Sequence, residues 1–372
     1  MLTLEIAGAM FRRLASIAHC PDDAGMARER IVSGESQGGE KHAASAASAA
    51  SAASAAFVPS GLAVRPKTLQ DYVGQSALVE RLSIAMEAVK ARGESMEHVL
   101  LHGPPGLGKT TLAHVIANEM GSTAWVTSGP ALNKAADLVG TLTKLGEGDV
   151  LFIDEIHRLP PAVEEYIYPA MEDFKVDFTV DSGMHAKVIT LTLKPFTLIG
   201  ATTRAGMLTQ PLRARFGITH HLEYYPKADL VEILKRAVVR MGISKVAVSG
   251  FDAIAERSRG TPRVSLRLLR RVRDFAEVRG TGAIDAPAVT AALKLEGVDD
   301  LGLDEIDRKY LRVLSEVYEG GPAGLEAIAA TMGGDAGTLE DIVEPYLLQI
   351  GFLSRTPRGR KLTTAGEAHL KG

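Results

Sequence analysis

The sequence predicts an α/β protein: a core built on a parallel sheet, then a small all-α domain, then a C-terminal winged helix. Three observations carry this reading. Residues 98–111, HVLLHGPPGLGKTT, run an apolar strand into a glycine loop and then into a helix. Short apolar strands at 99–101, 124–127, 150–153 and 196–201 alternate with helical stretches, the pattern of parallel strands joined by crossover helices. From Pro226 the apolar spacing turns helical and stays so until a basic ribbon near the end of the chain.

At 372 residues the chain is long enough for two or three domains, and 46% hydrophobic with 23% charged residues is a globular composition. The formal net charge of −3 gives no global polyanion signature, so any nucleic-acid surface must be a local patch. A single cysteine, Cys20, excludes an intramolecular disulfide and suits a reducing cytoplasm. No apolar run approaches a membrane span, and the first twenty residues lack the order of a secretory signal.

Residues 1–56 read as a low-complexity extension. An Ala-Ala-Ser repeat from Ala43 to Ala56 has no large side chain to bury, so nothing holds it on a core, and a disordered tether is expected. Order is expected from Phe57. The large domain is expected over 57–225, a small helical domain over 226–297 and a head domain over 298–372. Ser76 is expected to cap a helix carrying Leu78, Leu82, Met86 and Val89. Between the third and fourth strands, Lys175 to Leu193 reads as a β-hairpin projecting from the sheet, turned at Asp181-Ser182-Gly183. Helices follow at 229–241, 251–258, 264–279 and 286–295, and then at 305–317, 325–331 and 339–350. Phe352-Leu353 and Leu362-Thr363 flank the basic stretch 354–361. Three helices and a ribbon in so short a segment suggest a winged helix.

The chemistry begins at Gly103–Thr111, the G-x-x-x-x-G-K-[ST] phosphate loop in its strand–loop–helix context. Its glycines let backbone N–H groups wrap a polyphosphate at a helix N-terminus. Lys109 is placed to reach the β- and γ-phosphates, and the Thr110 hydroxyl to hold Mg²⁺. The apolar strand ending in Asp154-Glu155 supplies a Mg²⁺ carboxylate, Asp154, and a carboxylate to polarise water, Glu155. Together they predict ATP hydrolysis. His157 fits a structural or a functional role equally. Thr202-Thr203, at the end of another strand, offer a sensor hydroxyl; Thr202 is the candidate, with Thr203 beside it. Arg215 fits an arginine finger reaching a neighbouring subunit's nucleotide, and Arg263 opens a lid helix where it can report nucleotide state. The further arginines of that helix, Arg267, Arg270, Arg271 and Arg273, do not share one face and read as structural or inter-subunit.

These elements, in this order, resemble the AAA+ ATPases, with a P-loop core, an α-helical lid and, here, a winged-helix head. The motifs GPPGLGKTTLA, VLFIDEIHRL, YPAMEDF, TLIGATTRAG, RGTPR and EPYLLQIGFLSRTPRGR narrow the resemblance, from Arg65 to the C-terminus, to the RuvB family of bacterial Holliday-junction branch-migration motors. That resemblance implies that Val64 and Arg65 lie against adenine, with Val64 where Leu is usual. It implies that Gly106, Lys109, Thr110 and Thr111 hold phosphate and Mg²⁺, and that Glu172, Asp173, Phe174 and Tyr225 lie near nucleotide. It also implies a trans-acting Arg215 and a sensor Arg263. A homo-hexameric ring, Holliday-junction DNA as substrate, RuvA docking on the 175–193 hairpin and RuvC as a further partner follow from the same resemblance.

The ribbon tip has its own argument. Arg355, Arg358, Arg360 and Lys361 surround Thr356-Pro357 and Gly359, and guanidiniums on a ribbon tip can bind phosphates without reading sequence. Two other readings share the core. A clamp-loader-type switch would not need the basic ribbon, and a winged-helix regulator using ATP as a ligand would show sequence-specific DNA affinity.

Overall fold

A computed structural model describes residues 65–179 and 188–371. The expected tether, the start of order at Phe57, the adenine-side Val64 and the tip of the hairpin lie outside the described residues.

Five parallel strands form the central sheet: β1 (Val99–His102), β2 (Ala124–Ser128), β3 (Val150–Asp154), β6 (Thr197–Thr202) and β7 (Ile218–His221), in the order β2-β3-β6-β1-β7. The four strands expected from apolar runs are all present. The fifth, Ile-Thr-His-His, has no such run because it is an edge strand with alternating exposure. β6 is buried along its whole length, as a strand flanked on both sides must be. Helix α1 (Ser76–Arg92) and helix α2 (Lys109–Met120) pack on one face with Leu78, Leu82, Leu112 and Ile116 fully buried. Ser76 does not cap α1: Gln75 takes that position in a left-handed conformation, without a side-chain cap. Helix α3 (Ala135–Leu142) and helix α4 (Pro161–Glu172) belong to the other apolar cluster, with Phe196 and Leu198. The hairpin forms as β4 (Lys175–Thr179) paired antiparallel with β5 (Val188–Thr192), a separate two-stranded sheet.

After the short α5 (Gln210–Ala214), four helices follow: α6 (Lys227–Met241), α7 (Val248–Glu256), α8 (Pro262–Arg279) and α9 (Ala286–Leu295). Their apolar faces join the same cluster as α1 and α2, so they roof the sheet instead of standing apart from it. The C-terminal segment has its own core around Tyr310, Leu311, Leu314 and Leu347. It comprises α10 (Glu305–Glu316), α11 (Leu325–Met332), α12 (Ala336–Thr338), a π-helical turn at Leu339–Val343, and α13 (Glu344–Gln349). The ribbon β8 (Leu353–Thr356) and β9 (Gly359–Leu362) and a last helix, α14 (Thr364–Lys371), complete it. The expected helix 339–350 is therefore interrupted by a wide turn, and α14 had no strong apolar signal.

Candidate nucleotide site and basic wing

The sheet order sets the site. β6 lies between β3 and β1, so the loops leaving these three strands meet at one edge, where ligands of parallel sheets bind. Gly106 and Gly108 hold φ of +84° and +98°, and a Cβ on Gly106 would come within 3.1 Å of the Arg263 Cβ. The Arg263 N–H donates to the Gly106 carbonyl at 3.3 Å, so the loop touches the helical roof directly. Lys109 is only 8% exposed and its Nζ donates to the carbonyls of Gly103 (2.8 Å) and Pro104 (2.9 Å). Burial pulls its pKa down to about 8, against the opposing pull of Asp154 and Glu155.

Gly106, Lys109, Thr110, Thr111, Asp154 and Glu155 line one cavity of about 360 Å³, with Arg65, Tyr225 and Arg263 on its other walls. Asp154 Oδ1 accepts the Glu155 N–H at 3.0 Å. Glu155 is held at φ +49°, a left-handed conformation unusual for a residue with a side chain. Its Oε2 accepts from the Thr203 hydroxyl at 3.2 Å and lies 3.2 Å from His157 Nδ1.

The strand-end threonine on the cavity is Thr203 and not Thr202. Thr202, the last residue of β6, is 0% exposed; its hydroxyl lies 2.8 Å from His157 Nδ1 and accepts the Arg204 N–H at 3.0 Å. Strand side chains alternate, so facing inward at Thr202 puts the next residue on the open edge. The His157 side chain is buried, burial lowers its pKa despite Glu155, and its Nδ1 stands between Thr202 and Glu155.

The structure also brings in residues that the sequence reading assigned elsewhere. Arg270 lines the cavity with Tyr72, Ile233 and Leu266, and its Nε is buried with no hydrogen-bond partner among the described residues. The sequence reading gave Arg270 a structural or inter-subunit role and did not place it on the cavity. Its signal was present: Arg263, Leu266 and Arg270 stand at i, i+3 and i+7 and share one helical face. The Tyr225 hydroxyl lies within hydrogen-bonding distance of the Tyr72 hydroxyl (3.1 Å) and the Leu107 carbonyl (3.3 Å), tying the loop to the roof.

Besides Thr202, four expected residues are not on this cavity. Arg215 stacks over the Tyr168 ring at 4.3 Å, donates from Nη1 to the Pro211 carbonyl at 2.8 Å, and pairs through Nη2 with Glu172 at 3.1 Å. Asp173 ends α4, and Phe174, at φ +52°, sets its ring edge-on to Phe196 at 5.9 Å. Glu172, Asp173, Phe174 and Arg215 thus form a group apart from the lining of this cavity.

The basic ribbon is also divided. Arg355 donates from Nε (2.9 Å) and Nη2 (2.5 Å) to Glu344, and Arg360 Nε donates to the same carboxylate at 2.8 Å. Glu344 is 0% exposed and also accepts the Tyr310 hydroxyl at 2.9 Å. Two of the three arginines expected to grip phosphate therefore neutralise a buried carboxylate. Arg358 and Lys361 are exposed and make no side-chain hydrogen bond or ion pair among the described residues.

A buried lysine under a glycine loop, a carboxylate pair lining the same cavity, and a helical roof carrying arginines are what an AAA+ P-loop ATPase uses to hold and cleave a nucleotide, and the chain is an ATPase of that class. Family models match it along three consecutive stretches: the Holliday junction DNA helicase RuvB P-loop domain at 64–222, the RuvB AAA lid domain at 225–299, and the RuvB C-terminal winged helix domain at 300–371. The chain belongs to the RuvB family. It is 56% identical over 314 residues to the Holliday junction branch migration complex subunit RuvB of Oenococcus oeni, covering 84% of this chain and 93% of that one. The structure of the Thermotoga maritima RuvB Holliday junction branch migration motor superposes with a TM-score of 0.76 at 50% identity, covering 83% of this chain and 98% of that one. A point mutant of the same Thermotoga protein gives 0.77 at 50% identity, over 82% and 98%.

The Lys109 environment has a measurable consequence. Only the protonated amine attracts phosphate, and a bound polyphosphate raises its pKa, so binding takes up a proton wherever the free lysine has lost it. Affinity should be nearly full at pH 7 and fall through pH 8, by about tenfold from pH 7 to pH 9. Titration calorimetry across this range should show the fall with proton uptake at high pH; in Lys109→Met, which still fills the space, the slope should vanish.

Proposed function

We propose that this chain is the ATP-driven motor of Holliday-junction branch migration, acting in the cytoplasm as a homo-hexameric ring on duplex DNA with RuvA, and with RuvC as a further partner. The observation that carries the ring is the separation of Arg215 from its own nucleotide cavity, in a surface group that includes Glu172. A finger so placed acts on a neighbour. The branch-migration activity and the partnership with RuvA rest on family membership, and the hairpin β4–β5 is the proposed RuvA contact.

Thr110 and Asp154 both line the cavity, and a hydroxyl with one carboxylate suits Mg²⁺, which would take its other ligands from water and phosphate. Bound there, Mg²⁺ would neutralise charge between the β- and γ-phosphates. Among the described residues no group of three or more histidine, cysteine or carboxylate side chains forms a metal cage, so a dedicated all-protein site is not the arrangement here. Lys109 holds phosphate, Glu155 orients water, Thr203 fixes the Glu155 carboxylate, and Arg263 and Arg270 join nucleotide to the roof. A DNA grip of exposed Arg358 and Lys361 neutralises phosphates without reading bases, as a moving motor requires.

A synthetic four-way junction tests this reading. With ATP and RuvA the wild-type chain should convert the junction to two forked duplexes, and Lys109→Ala should convert none. Absence of conversion by wild type under these conditions, with ATPase intact, would favour the clamp-loader-type switch instead.

A further inference from the structure

We propose that Arg204 is a positioning residue of the hydrolytic step, joining the Glu155 end of the ATP cavity to the DNA-gripping wing of the same subunit through Asp341 and Glu340. The inference rests on the proposed roles of Glu155 and of the wing, and adds a connection between them.

The connection is a chain of short contacts. Arg204 follows the strand-end threonines, and its backbone N–H donates to the Thr202 hydroxyl at 3.0 Å. Thr202 shares His157 Nδ1 with Glu155, and Thr203 donates to Glu155 at 3.2 Å. A shift of Arg204 is therefore passed to both groups that hold the water-orienting carboxylate. The Arg204 side chain points the other way, across to the head. Its Nε and Nη2 donate to Asp341 Oδ1 at 3.0 and 2.6 Å, and Nη2 donates to Glu340 Oε2 at 3.1 Å.

On the head side, the same Glu340 faces the wing: its Oε1 lies 3.6 Å from Arg360 Nη2 and 3.9 Å from Arg355 Nη2. Glu340 and Asp341 are consecutive, and on a regular α-helix neighbours point about 100° apart. Here they sit on the π-helical turn Leu339–Val343, and both reach one guanidinium. Wide turns of this kind recur at functional positions. An Arg fork spanning two carboxylates is also a stiffer link than a single surface pair.

The electrostatics give the link a direction. Without DNA, Glu340 is shared between Arg204 and the two wing arginines. A DNA phosphate held by Arg358 and Lys361 adds negative charge near Arg355 and Arg360, which stay on Glu344, and weakens the positive field they exert on Glu340. Glu340 then bears more fully on Arg204, and the strand-end segment 202–204 is held more firmly while DNA is gripped. DNA occupancy in this way favours the hydrolysis-ready position of Glu155 in the same subunit.

ATP turnover of the full chain, measured with and without duplex DNA, tests this. Asp341→Asn removes the negative charge that holds Arg204, leaving only a neutral amide oxygen as acceptor, with the cavity and the ribbon tip untouched. Expected are a DNA-free turnover and a duplex affinity within about twofold of wild type, as for a surface substitution. The DNA-dependent increase in turnover should fall by about fivefold or more, with KM for ATP unchanged. Asp341→Glu, which keeps the carboxylate, should retain the increase, and Arg204→Lys, which keeps charge without the fork, should lose it. An undiminished increase in Asp341→Asn overturns the proposal. So does a parallel loss of DNA-free turnover or of DNA affinity, which would mark a structural role. Wild type showing no DNA-dependent increase would instead overturn the proposed function.

Discussion

Rings built only of Arg215→Ala subunits should lose ATP turnover by about a thousandfold while still binding nucleotide. Rings built only of Glu155→Gln subunits should be similarly inactive. Mixing the two should restore activity. At an interface where the Arg215→Ala subunit holds the nucleotide and the Glu155→Gln subunit supplies the finger, both required groups are intact. In hexamers mixed one to one, about a quarter of interfaces have that arrangement, so turnover should recover to about a quarter of wild type. The expectation comes from placement: Arg215 is not among the residues lining the cavity, its Nε is buried without a hydrogen-bond partner among the described residues, and its guanidinium rests on Tyr168 and Glu172. Glu172 is exposed and tolerates the loss of its partner, so a fall in turnover without a fall in melting temperature is the expected pair of readings. Failure of the mixture to recover, with subunit exchange verified, would sink the trans-finger assignment.

Changing Arg355 and Arg360 together to alanine should destabilise the winged head by about 3–5 kcal/mol, the usual cost of leaving a buried charge without its partner. Glu344 is fully buried between those two guanidiniums and the Tyr310 hydroxyl, and removing both cations leaves only the phenol. DNA binding lost by that variant would report an unfolded head, not a lost phosphate contact. Arg358→Ala with Lys361→Ala asks the cleaner question. Both side chains are exposed, so stability should stay within about 0.5 kcal/mol. DNA affinity should fall, and the slope of log affinity against log salt should flatten by about 2, one counterion for each lost phosphate contact. Thermal melts and anisotropy titrations at several salt concentrations separate the two variants. A stable Arg355/Arg360 double variant, or an unchanged salt slope in the Arg358/Lys361 variant, would refute this division of the ribbon.

Much of the candidate site was legible in the chain because its parts are local. A phosphate loop needs eight consecutive residues, Gly103 to Thr110, and the strand and helix that flank them. An acidic pair at the end of an apolar strand is likewise contiguous, so Lys109, Thr110, Asp154 and Glu155 could be read directly and do line one cavity. The choice between Thr202 and Thr203 could not. Alternation says that the two side chains face opposite ways, but which is inward depends on how β6 sits between β3 and β1. Arg270 was missed for a related reason, since it was compared with the other arginines and not with Arg263 and Leu266 on its own face.

Residues 65–371 by themselves determined the family, the order of the elements and the phosphate chemistry, because each depends on residue types at short, fixed spacing. Only the tertiary structure decided which charges are free to act. Arg355, Arg358 and Arg360 look equivalent as three basic residues in a row of six. Two are held by Glu344, and Arg358 makes no ion pair among the described residues. Arg204 meets Asp341 and Glu340 across about 137 positions of chain. An arginine's work depends on the nearest carboxylate in space, and no spacing rule along the chain gives that distance.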